Sequence, residues 1–150
     1  MKIFNRKELI ILIETNEYDY NDTPIIIGCY ISKRINKQHD GTIGYISDPK
    51  AFVFSFRNST TKKYPIKENK SCFAFKSSNN KPLTDNPIDQ IESDCLFTIG
   101  HHDLVINRKN CVSFCYQSDK WSSFDYQKSK ALLGVTGYFD VKRIIVVQMK

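Results

Sequence analysis

The feature that most constrains this chain is a series of short runs of β-branched and aromatic residues, each bounded by a polar segment that favours a turn. The clearest runs are ELIILIE (8–14), TPIIIGCYIS (23–32), AFVFSFRN (51–58) and GYFDVKRIIVVQM (137–149). Runs of this length and composition are typical of β-strands, and convincing amphipathic helices are few. Roughly seven or eight such strands predict a mainly β (α+β) fold: a two-sheet antiparallel β-sandwich with a few short helices.

The segments between the runs predict how the strands connect. The first two runs predict a hairpin with a long loop, and CLFTIG (95–100) with HDLVIN (102–107) predicts a second hairpin. The segment 77–94 is rich in Ser, Asn, Asp and Pro, so we expect a surface excursion within the domain and no long helix there. The polar segment 60–70 is expected to be turn-prone and to end in a short strand around Tyr64 and Ile66.

Basic residues outnumber acidic ones in this chain, which has a formal net charge of +6. They are densest in the segment 57–70, where Glu68 is the only acidic residue. The basic residues of that segment are Arg57, Lys62, Lys63, Lys67 and Lys70. Such a cluster permits an acidic partner, whether nucleic acid, anionic lipid or protein, although a solvated loop is the commoner outcome.

No segment has the pattern of an export signal or a membrane span. The apolar run LIILI (9–13) ends at Glu14, whereas a secretory signal needs roughly 7–15 apolar residues and a membrane helix about 18. We therefore expect a cytoplasmic protein whose five cysteines, an odd number, are free thiols. A monomer is expected.

The stretch IGHHDLVINRKNCVSFCYQ (99–117) concentrates residue types that bind metals or act in catalysis. A closed zinc site needs four Cys or His ligands, typically in close pairs. His101 and His102 are adjacent and would point to opposite sides of a strand, and Cys111 and Cys115 would lie roughly 13 Å apart along one. A turn would bring the two cysteines closer, but the chain has no Cys-x-x-Cys pair. We expect neither a metal nor a cofactor.

A cysteine nucleophile needs a nearby histidine and donors for an oxyanion. The stretch holds both residue types, but no flanking catalytic motif accompanies them. We therefore expect no catalytic residue, and we expect Asp103 to bond local backbone in a tight turn. A softer alternative is a redox-sensitive thiol, with Cys111 after its basic neighbours as the first candidate and Cys115 as the second. Cys29 and Cys72 lie in Ile- and Phe-rich runs and are expected in the core.

Four fragments, in order, resemble one family, the TLDc domain. They are IIIGCYIS (25–32), which is similar to its Gly-centred strand; SDPKAFVFSFRN (47–58), similar to its Asp-Pro-x-x-Phe strand; FTIGHHDLVIN (97–107) with Asn110 and Cys111, similar to its Gly-rich turn before His-Asp; and LLGVTGYFDVKRIIVVQ (132–148), similar to its closing strand. Their order and spacing match from about residue 23 onward. The resemblance implies a TLDc-like β-sandwich spanning residues 1–150 as a single domain.

The chain departs from the family pattern at several positions. The family usually begins with a further segment, so we expect a shortened or divergent member. Its Gly-Gly-Gly before His-Asp is reduced here to Gly100. The closing strand usually carries a glutamate where this chain has Arg143 and Ile145, so no role of that glutamate carries over.

The resemblance implies a function as a non-enzymatic protein-interaction module, linked to oxidative-stress protection and, in several members, to binding of the vacuolar proton-pumping ATPase (V-ATPase). The expected partner surface comprises the loops 33–40, 57–70 and 77–94, with Arg57, Lys62, Lys63, Lys67 and Lys70 making contact. Two alternatives stay open. One is a thiol-based redox sensor or enzyme using Cys111 and Cys115, and the other is a nucleic-acid-binding regulator using the basic segment 57–70.

Overall fold

A computed structural model describes residues 3–36, 44–75, 95–101, 103–108, 111–116, 120–128 and 137–150. Eleven strands lie within these residues. They are β1 Leu9–Tyr18, β2 Pro24–Ile31, β3 Gly44–Ile46, β4 Phe52–Arg57, β5 Thr60–Pro65, β6 Phe73–Phe75, β7 Cys95–Ile99, β8 Leu104–Asn107, β9 Ser113–Cys115, β10 Gly137–Phe139 and β11 Val141–Gln148.

The strands form two antiparallel sheets. The first sheet has the order β11-β1-β2-β4-β5, and the second has the order β10-β9-β8-β7-β6-β3. The predicted mainly β fold with two antiparallel sheets is confirmed. The described residues contain no helix, so the few short helices that we expected are not shown there. No helix in this part of the chain is long and apolar enough to cross a membrane.

The inner faces of both sheets contribute to a single hydrophobic core. On β1, Leu9, Ile11 and Ile13 are buried while the residues between them are less so, which is the period-two alternation of a strand with one face inward. Phe73 and Phe97 from the second sheet stack at 5.2 Å between ring centroids and join the same core. Fully burying a side chain of this size stabilises a fold by about 1.5–3 kcal/mol.

The segment 60–65 is a strand, which starts earlier than the short strand around Tyr64 and Ile66 that its polar sequence predicted. The correction has a local cause at Asn58 and Ser59, which both have positive φ angles (50° and 55°). That backbone forms the two-residue hairpin turn whose twist matches antiparallel strands, and it pairs Thr60 with Arg57. β5 lies at the edge of its sheet, where lysines and a proline are tolerated.

The predicted last strand, 137–149, is in fact two strands that belong to different sheets. β10 pairs with β9 in the second sheet, whereas β11 pairs with β1 in the first. Asp140 lies between them, and its carbonyl oxygen accepts a hydrogen bond from the Asn16 amide at 3.0 Å. The continuous apolar pattern could not reveal this change of sheet, because each half satisfies a strand on its own.

The remaining predictions concern the hairpins and loops that connect the strands, and some of these lie outside the described residues. The β1–β2 hairpin and the β7–β8 hairpin around Gly100 are confirmed. The predicted surface excursion 77–94 lies outside the described residues, as does most of the predicted loop 33–45.

Candidate functional site

The carboxylate of Asp103 is buried in the turn between β7 and β8 and binds a distant segment of the chain. It accepts hydrogen bonds from the amides of Ser123 (2.9 Å) and Phe124 (3.2 Å) and from the Tyr126 hydroxyl (3.0 Å). We predicted that Asp103 bonds local backbone, and that prediction is wrong. Its partners lie 20 to 23 positions away, and only the tertiary structure brings them together.

Burial determines the electrostatics of Asp103. Removal from water raises the pKa of this carboxyl, because burial disfavours the charged form. The amides of Ser123 and Phe124 and the Tyr126 hydroxyl favour the charged form, as does the charge of Lys67, so these contacts oppose the shift. The donors around Asp103 all belong to the fold. With Asp103 only 2% exposed, its hydrogen bonds serve to hold the segment 120–128 against the β7–β8 turn.

Ser123 is the point where three parts of the chain meet. Its carbonyl oxygen accepts the Lys67 amide at 2.8 Å, and its hydroxyl accepts the His101 amide at 2.8 Å. The next residue, Phe124, forms an isolated bridge with Ile66 just after β5. The segment 120–128 is therefore fixed against both β5 and the β7–β8 turn.

Three exposed aromatic side chains lie on segments linked to Ser123: Trp121 two residues before it, His101 through its amide, and Tyr45 through its ring contact with His101. We call these three side chains the exposed aromatic cluster. Trp121 is 65% exposed and Tyr45 is 50% exposed. The rings of Tyr45 and His101 meet edge to face at 5.8 Å between centroids, and the Lys120 amine lies 5.0 Å from the centroid of the Trp121 ring. Rigid exposed tryptophan and tyrosine rings are the residue types that dominate protein-interface hot spots.

Sequence reasoning missed the aromatic cluster. Its three rings come from separate parts of the chain, at β3, at the β7–β8 turn and in the segment 120–128. The one available signal was the chain's single tryptophan, within the polar stretch SDKWSS (118–123). An apolar ring in such a stretch has no periodic neighbours with which to form a buried face.

The five basic residues predicted to bind a partner do not form one patch. Arg57 ends β4, whereas Lys62 and Lys63 lie on β5. The Lys63 amine lies 3.7 Å from the centroid of the Phe52 ring, on the outer face of the first sheet. Lys67 follows β5 at the Ser123 junction. At about 3.3 Å per residue, Pro65 at the end of β5 lies about 20 Å from Ser59 at the tip of the hairpin, and Lys67 follows two residues later.

The last basic residue, Lys70, lies beyond that junction. Its carbonyl oxygen accepts the Ser47 hydroxyl at 3.2 Å. The predicted partner residues are therefore spread along the β4–β5 hairpin and the turn after it, and Lys62 and Lys63, consecutive on β5, point to opposite faces of the sheet. Of the five, Lys67 is the one that the structure places beside the segment carrying Trp121.

The five cysteines form no disulfide and differ in exposure. Cys111 is half-buried, and its amide donates to the Arg108 carbonyl at 3.0 Å in the connection between β8 and β9. The other four are buried, including Cys115 in β9. Burial raises the pKa of Cys29 well above its usual value, and burial together with the charge of Asp48 raises the pKa of Cys72 to about 12. The expected core location of Cys29 and Cys72 is confirmed.

The residues that carried the family resemblance have structural contacts. Asp48, in the SDPK stretch, is buried and accepts hydrogen bonds from the Ser32 hydroxyl (2.9 Å) and from the amides of Lys33 (3.1 Å) and Lys50 (3.0 Å). Together with the Ser32 amide, these donors hold the pKa of Asp48 below its usual value although burial acts in the opposite direction. Asp48 thus joins the end of β2 to the start of β4.

Two glycines of the same fragments are required by close approach. A Cβ on Gly28 would lie 2.4 Å from the Ile11 carbonyl oxygen and 2.6 Å from the Phe54 ring. Gly100 has a φ of +68°, and a Cβ there would lie 2.5 Å from the Asp103 carboxylate. Both positions therefore exclude any larger residue.

Arg143 lies in the part of the closing strand where the family usually carries a glutamate, and it has an acidic partner on β1. Arg143 is paired with Glu14 across the two strands, and its Nε donates to the Glu14 carboxylate. The Lys142 amine lies 2.8 Å from the other oxygen of Glu14. Hydrogen bonds from Lys142 and Arg143 lower the pKa of Glu14.

Within the described residues, no group of three or more His, Cys, Asp or Glu side chains could hold a metal ion. The comparisons with known proteins identify one relationship. A family model of the TLDc domain matches residues 1–146. Searches of curated proteins and of solved structures found no significant match.

Proposed function

This chain belongs to the TLDc domain family, and on that premise we propose that it is a non-enzymatic module that binds another protein. The proposal treats residues 1–150 as one domain, and the core shared by both sheets supports that treatment. It also places the protein in the cytoplasm. By resemblance, the proposed role is protection against oxidative stress through a partner such as subunits of the vacuolar proton-pumping ATPase.

The observation that carries this proposal is the exposed aromatic cluster. The segment that carries Trp121 is held two residues later at Ser123, which contacts Asp103, Lys67 and His101. A backbone that is already held in place loses little conformational entropy when a partner covers the side chain on it. Covering the cluster would also remove three aromatic surfaces from water, which is the main source of affinity at an interface.

The charges beside the cluster define the chemistry of the partner. Lys120 belongs to the segment that carries Trp121, and the Lys67 amide bonds to that segment at Ser123. The other basic residues of the β4–β5 hairpin lie farther from it along the chain. An acidic protein surface would complement this arrangement. The charges would accelerate association and make it sensitive to salt, while the aromatic rings would supply most of the affinity.

The test is a pull-down from native lysate at moderate salt, followed by mass spectrometry. Four baits are compared: wild type, Trp121→Ala, the triple variant Lys62/Lys63/Lys67→Glu, and Tyr138→Ala as a matched control. Tyr138 is 75% exposed on β10, so its removal deletes an exposed ring elsewhere on the molecule. Circular dichroism of each bait confirms that it is folded.

We expect wild type and Tyr138→Ala to enrich proton-pump subunits, and Trp121→Ala and the triple variant to lose them. Equal recovery by Trp121→Ala and wild type would contradict the assignment of the aromatic cluster. Recovery of nucleic acid alone, or of nothing, would contradict the proposal as a whole.

A second candidate function, redox sensing, has one observation in its favour. Cys111 is half-buried, whereas the other four thiols are buried. It also follows the basic pair Arg108 and Lys109. Nearby positive charge favours the reactive thiolate. A redox sensor predicts alkylation of Cys111 at neutral pH well ahead of Cys115, and Cys111→Ser would remove that fast phase. Alkylation of all five thiols only after unfolding would exclude it.

The remaining alternative, a nucleic-acid-binding regulator, has the combination of Trp121 with Lys120 and Lys67 in its favour. Exposed rings beside basic residues can stack on bases and contact phosphates. This function predicts binding to single-stranded oligonucleotides that weakens steeply as salt rises, and loss of that binding in Trp121→Ala. The same titration with wild type distinguishes it from the protein-binding module.

A further inference from the structure

Both edge strands of the first sheet carry basic residues, but their charges are treated differently. On β11, the Glu14 carboxylate binds both Lys142 and Arg143. On β5, Lys62 and Lys63 are exposed, and no carboxylate of the described residues forms an ion pair with either of them. The β5 edge therefore keeps its full positive charge.

The turn between β4 and β5 determines which backbone groups of β5 point to the free edge. Residues 58–59 form a two-residue turn, so the flanking pair Arg57 and Thr60 is hydrogen-bonded. Bonded and non-bonded pairs alternate in an antiparallel ladder. The residues of β5 that direct their backbone groups away from β4 are therefore Thr61, Lys63 and Pro65.

The position beyond β5, where a sixth strand would lie, is occupied at one end. The Pro65 carbonyl accepts the Asp125 amide at 2.9 Å on the side away from β4, as the alternation requires. Phe124 forms its antiparallel bridge with Ile66. Residues 127–128 then have positive φ angles (50° and 59°), which an extended strand does not adopt. The chain thus begins a sixth strand and leaves it, and within the described residues nothing pairs with 61–63 on that side.

We propose that the open position beside residues 61–63 takes an extended acidic segment of another protein, paired antiparallel with β5. Thr61 and Lys63 each offer one N–H and one C=O, so the added strand forms backbone hydrogen bonds with both residues. Lys62 and Lys63 point to opposite faces of the sheet. Acidic side chains at two consecutive positions of the added strand therefore meet one lysine each. The proposal rests on the proposed protein-binding function and names the chemistry of the partner.

Charge and backbone chemistry disfavour two other occupants of this edge. A β5 strand from a second copy would bring lysines together, and lysine on an edge strand prevents such pairing. A nucleic acid offers phosphate oxygens, which accept hydrogen bonds but donate none to the C=O groups of Thr61 and Lys63. An acidic peptide strand satisfies the N–H groups, the C=O groups and both lysines.

Nuclear magnetic resonance titration of the full chain, labelled with nitrogen-15, tests the proposal residue by residue. The probe is the capped peptide Ser-Val-Glu-Glu-Thr-Val-Ser, whose glutamates lie opposite Lys63 and Lys62 and whose threonine lies opposite Thr61. We expect a dissociation constant on the order of 1 mM, because the contact is short. The amides of Thr61 and Lys63 should move downfield as they gain acceptors. Those of Lys62 and Tyr64, which already bond to β4, should move less.

Two double variants with the same change in net charge test the role of the lysines. Lys62→Glu with Lys63→Glu should weaken binding about tenfold, because two opposite-charge pairs become like-charge pairs. The matched control is Lys7→Glu with Lys150→Glu, since Lys7 precedes β1 and Lys150 follows β11 and both are exposed. It should bind like wild type, with both variants folded by circular dichroism. An equal loss in both variants, or no shift at Thr61 and Lys63 in wild type, overturns the proposal.

Methylation of the peptide backbone tests the strand pairing itself. The glutamate opposite Lys63 and the threonine opposite Thr61 donate their N–H groups to β5, so N-methylation at both positions should abolish binding. N-methylation at the glutamate opposite Lys62, whose N–H points away from β5, should leave binding unchanged. Equal effects of the two methylations contradict the pairing, as does tighter binding of a short oligothymidylate at the same amides.

The titration also separates this proposal from the proposed function. Trp121→Ala should bind the peptide like wild type, because Trp121 lies outside the strand edge. Peptide binding together with a failed pull-down supports the acidic-strand site and contradicts the proton-pump partner. A successful pull-down without shifts at Thr61 and Lys63 supports the proposed function and overturns the acidic-strand site.

Discussion

Removing the carboxylate of Asp103 should be the most damaging single substitution at a polar residue of the described structure. In Asp103→Ala, the amides of Ser123 and Phe124 and the Tyr126 hydroxyl lose their acceptor. A buried donor left without a partner costs about 1–3 kcal/mol. The three donors together would cost about 3–9 kcal/mol if they were independent.

Two effects reduce that sum. The substitution also removes the cost of burying a carboxylate, the same cost that raises its pKa. The segment 120–128 can also separate and let water reach the donors. We therefore expect the free energy of unfolding to fall by about 3–5 kcal/mol, a large part of the roughly 5–15 kcal/mol of a typical domain. Asp103→Asn keeps one acceptor oxygen and should lose about half as much.

The chain reports on this perturbation through its single tryptophan. Trp121 lies in the segment that Asp103 holds, so its fluorescence follows release of that segment, whereas far-UV circular dichroism follows the sheets. In a urea titration the two transitions should coincide for wild type. For Asp103→Ala we expect the fluorescence transition at lower urea than the dichroism transition.

Asp125→Ala is the matched control for this experiment. Asp125 is exposed in the same segment and accepts one local hydrogen bond, from the Gln127 amide at 3.0 Å. Its loss should cost less than about 1 kcal/mol. If Asp103→Ala were no more destabilised than Asp125→Ala, Asp103 would not be the residue that fixes Trp121, and the structural basis of the aromatic cluster would be refuted.

Three further predictions concern the sheets. Gly28→Ala should lower the urea midpoint by an amount equivalent to about 1–3 kcal/mol, because the new methyl would overlap the Phe54 ring; a stabilised variant would contradict the close approach. Asp48 has a lowered pKa, so the stability that it contributes is present above the usual carboxyl range and is lost as the pH falls through its pKa in the folded state. Asp48→Asn should therefore be less stable than wild type at neutral pH and depend less on pH between about 2 and 4, and parallel pH profiles would exclude this effect. Glu14→Gln should lower the thermal midpoint more at low salt than at high salt, because Arg143 loses its charged partner; a difference that does not vary with salt would show that the ion pair contributes nothing.

The fold class could be predicted from the sequence because it depends on local patterns. The alternation of Leu9, Ile11 and Ile13 with less buried residues is visible in any strand that has one buried face. The hairpin at Gly100 was predictable for a similar reason, since a glycine between two apolar runs supplies the positive φ that the turn requires. The structural glycines and aspartates also carried the family resemblance, because close contacts tolerate few alternatives.

The features that the sequence did not predict depend on contacts between distant parts of the chain. The start of β5 was missed because lysine and threonine at a sheet edge have no apolar alternation, and only pairing with β4 defines the strand. The candidate site was missed because Asp103 acts on residues 20 to 23 positions away. The basic segment was identified from its composition. Composition does not show where each side chain points, and consecutive lysines on a strand point to opposite faces of the sheet.

The sequence alone determined that this protein is a mainly β member of the TLDc domain family, because strand periodicity and the spacing of a few indispensable residues are written along the chain. The tertiary structure decided which surfaces the protein offers to others. Tyr45 and His101 make their ring contact only when β3 meets the β7–β8 turn, and the segment that carries Trp121 joins that turn through Ser123. The open part of the β5 edge ends where Phe124, far along the chain, bridges Ile66. Surfaces arise from contacts between residues far apart in sequence, and no local pattern encodes those contacts.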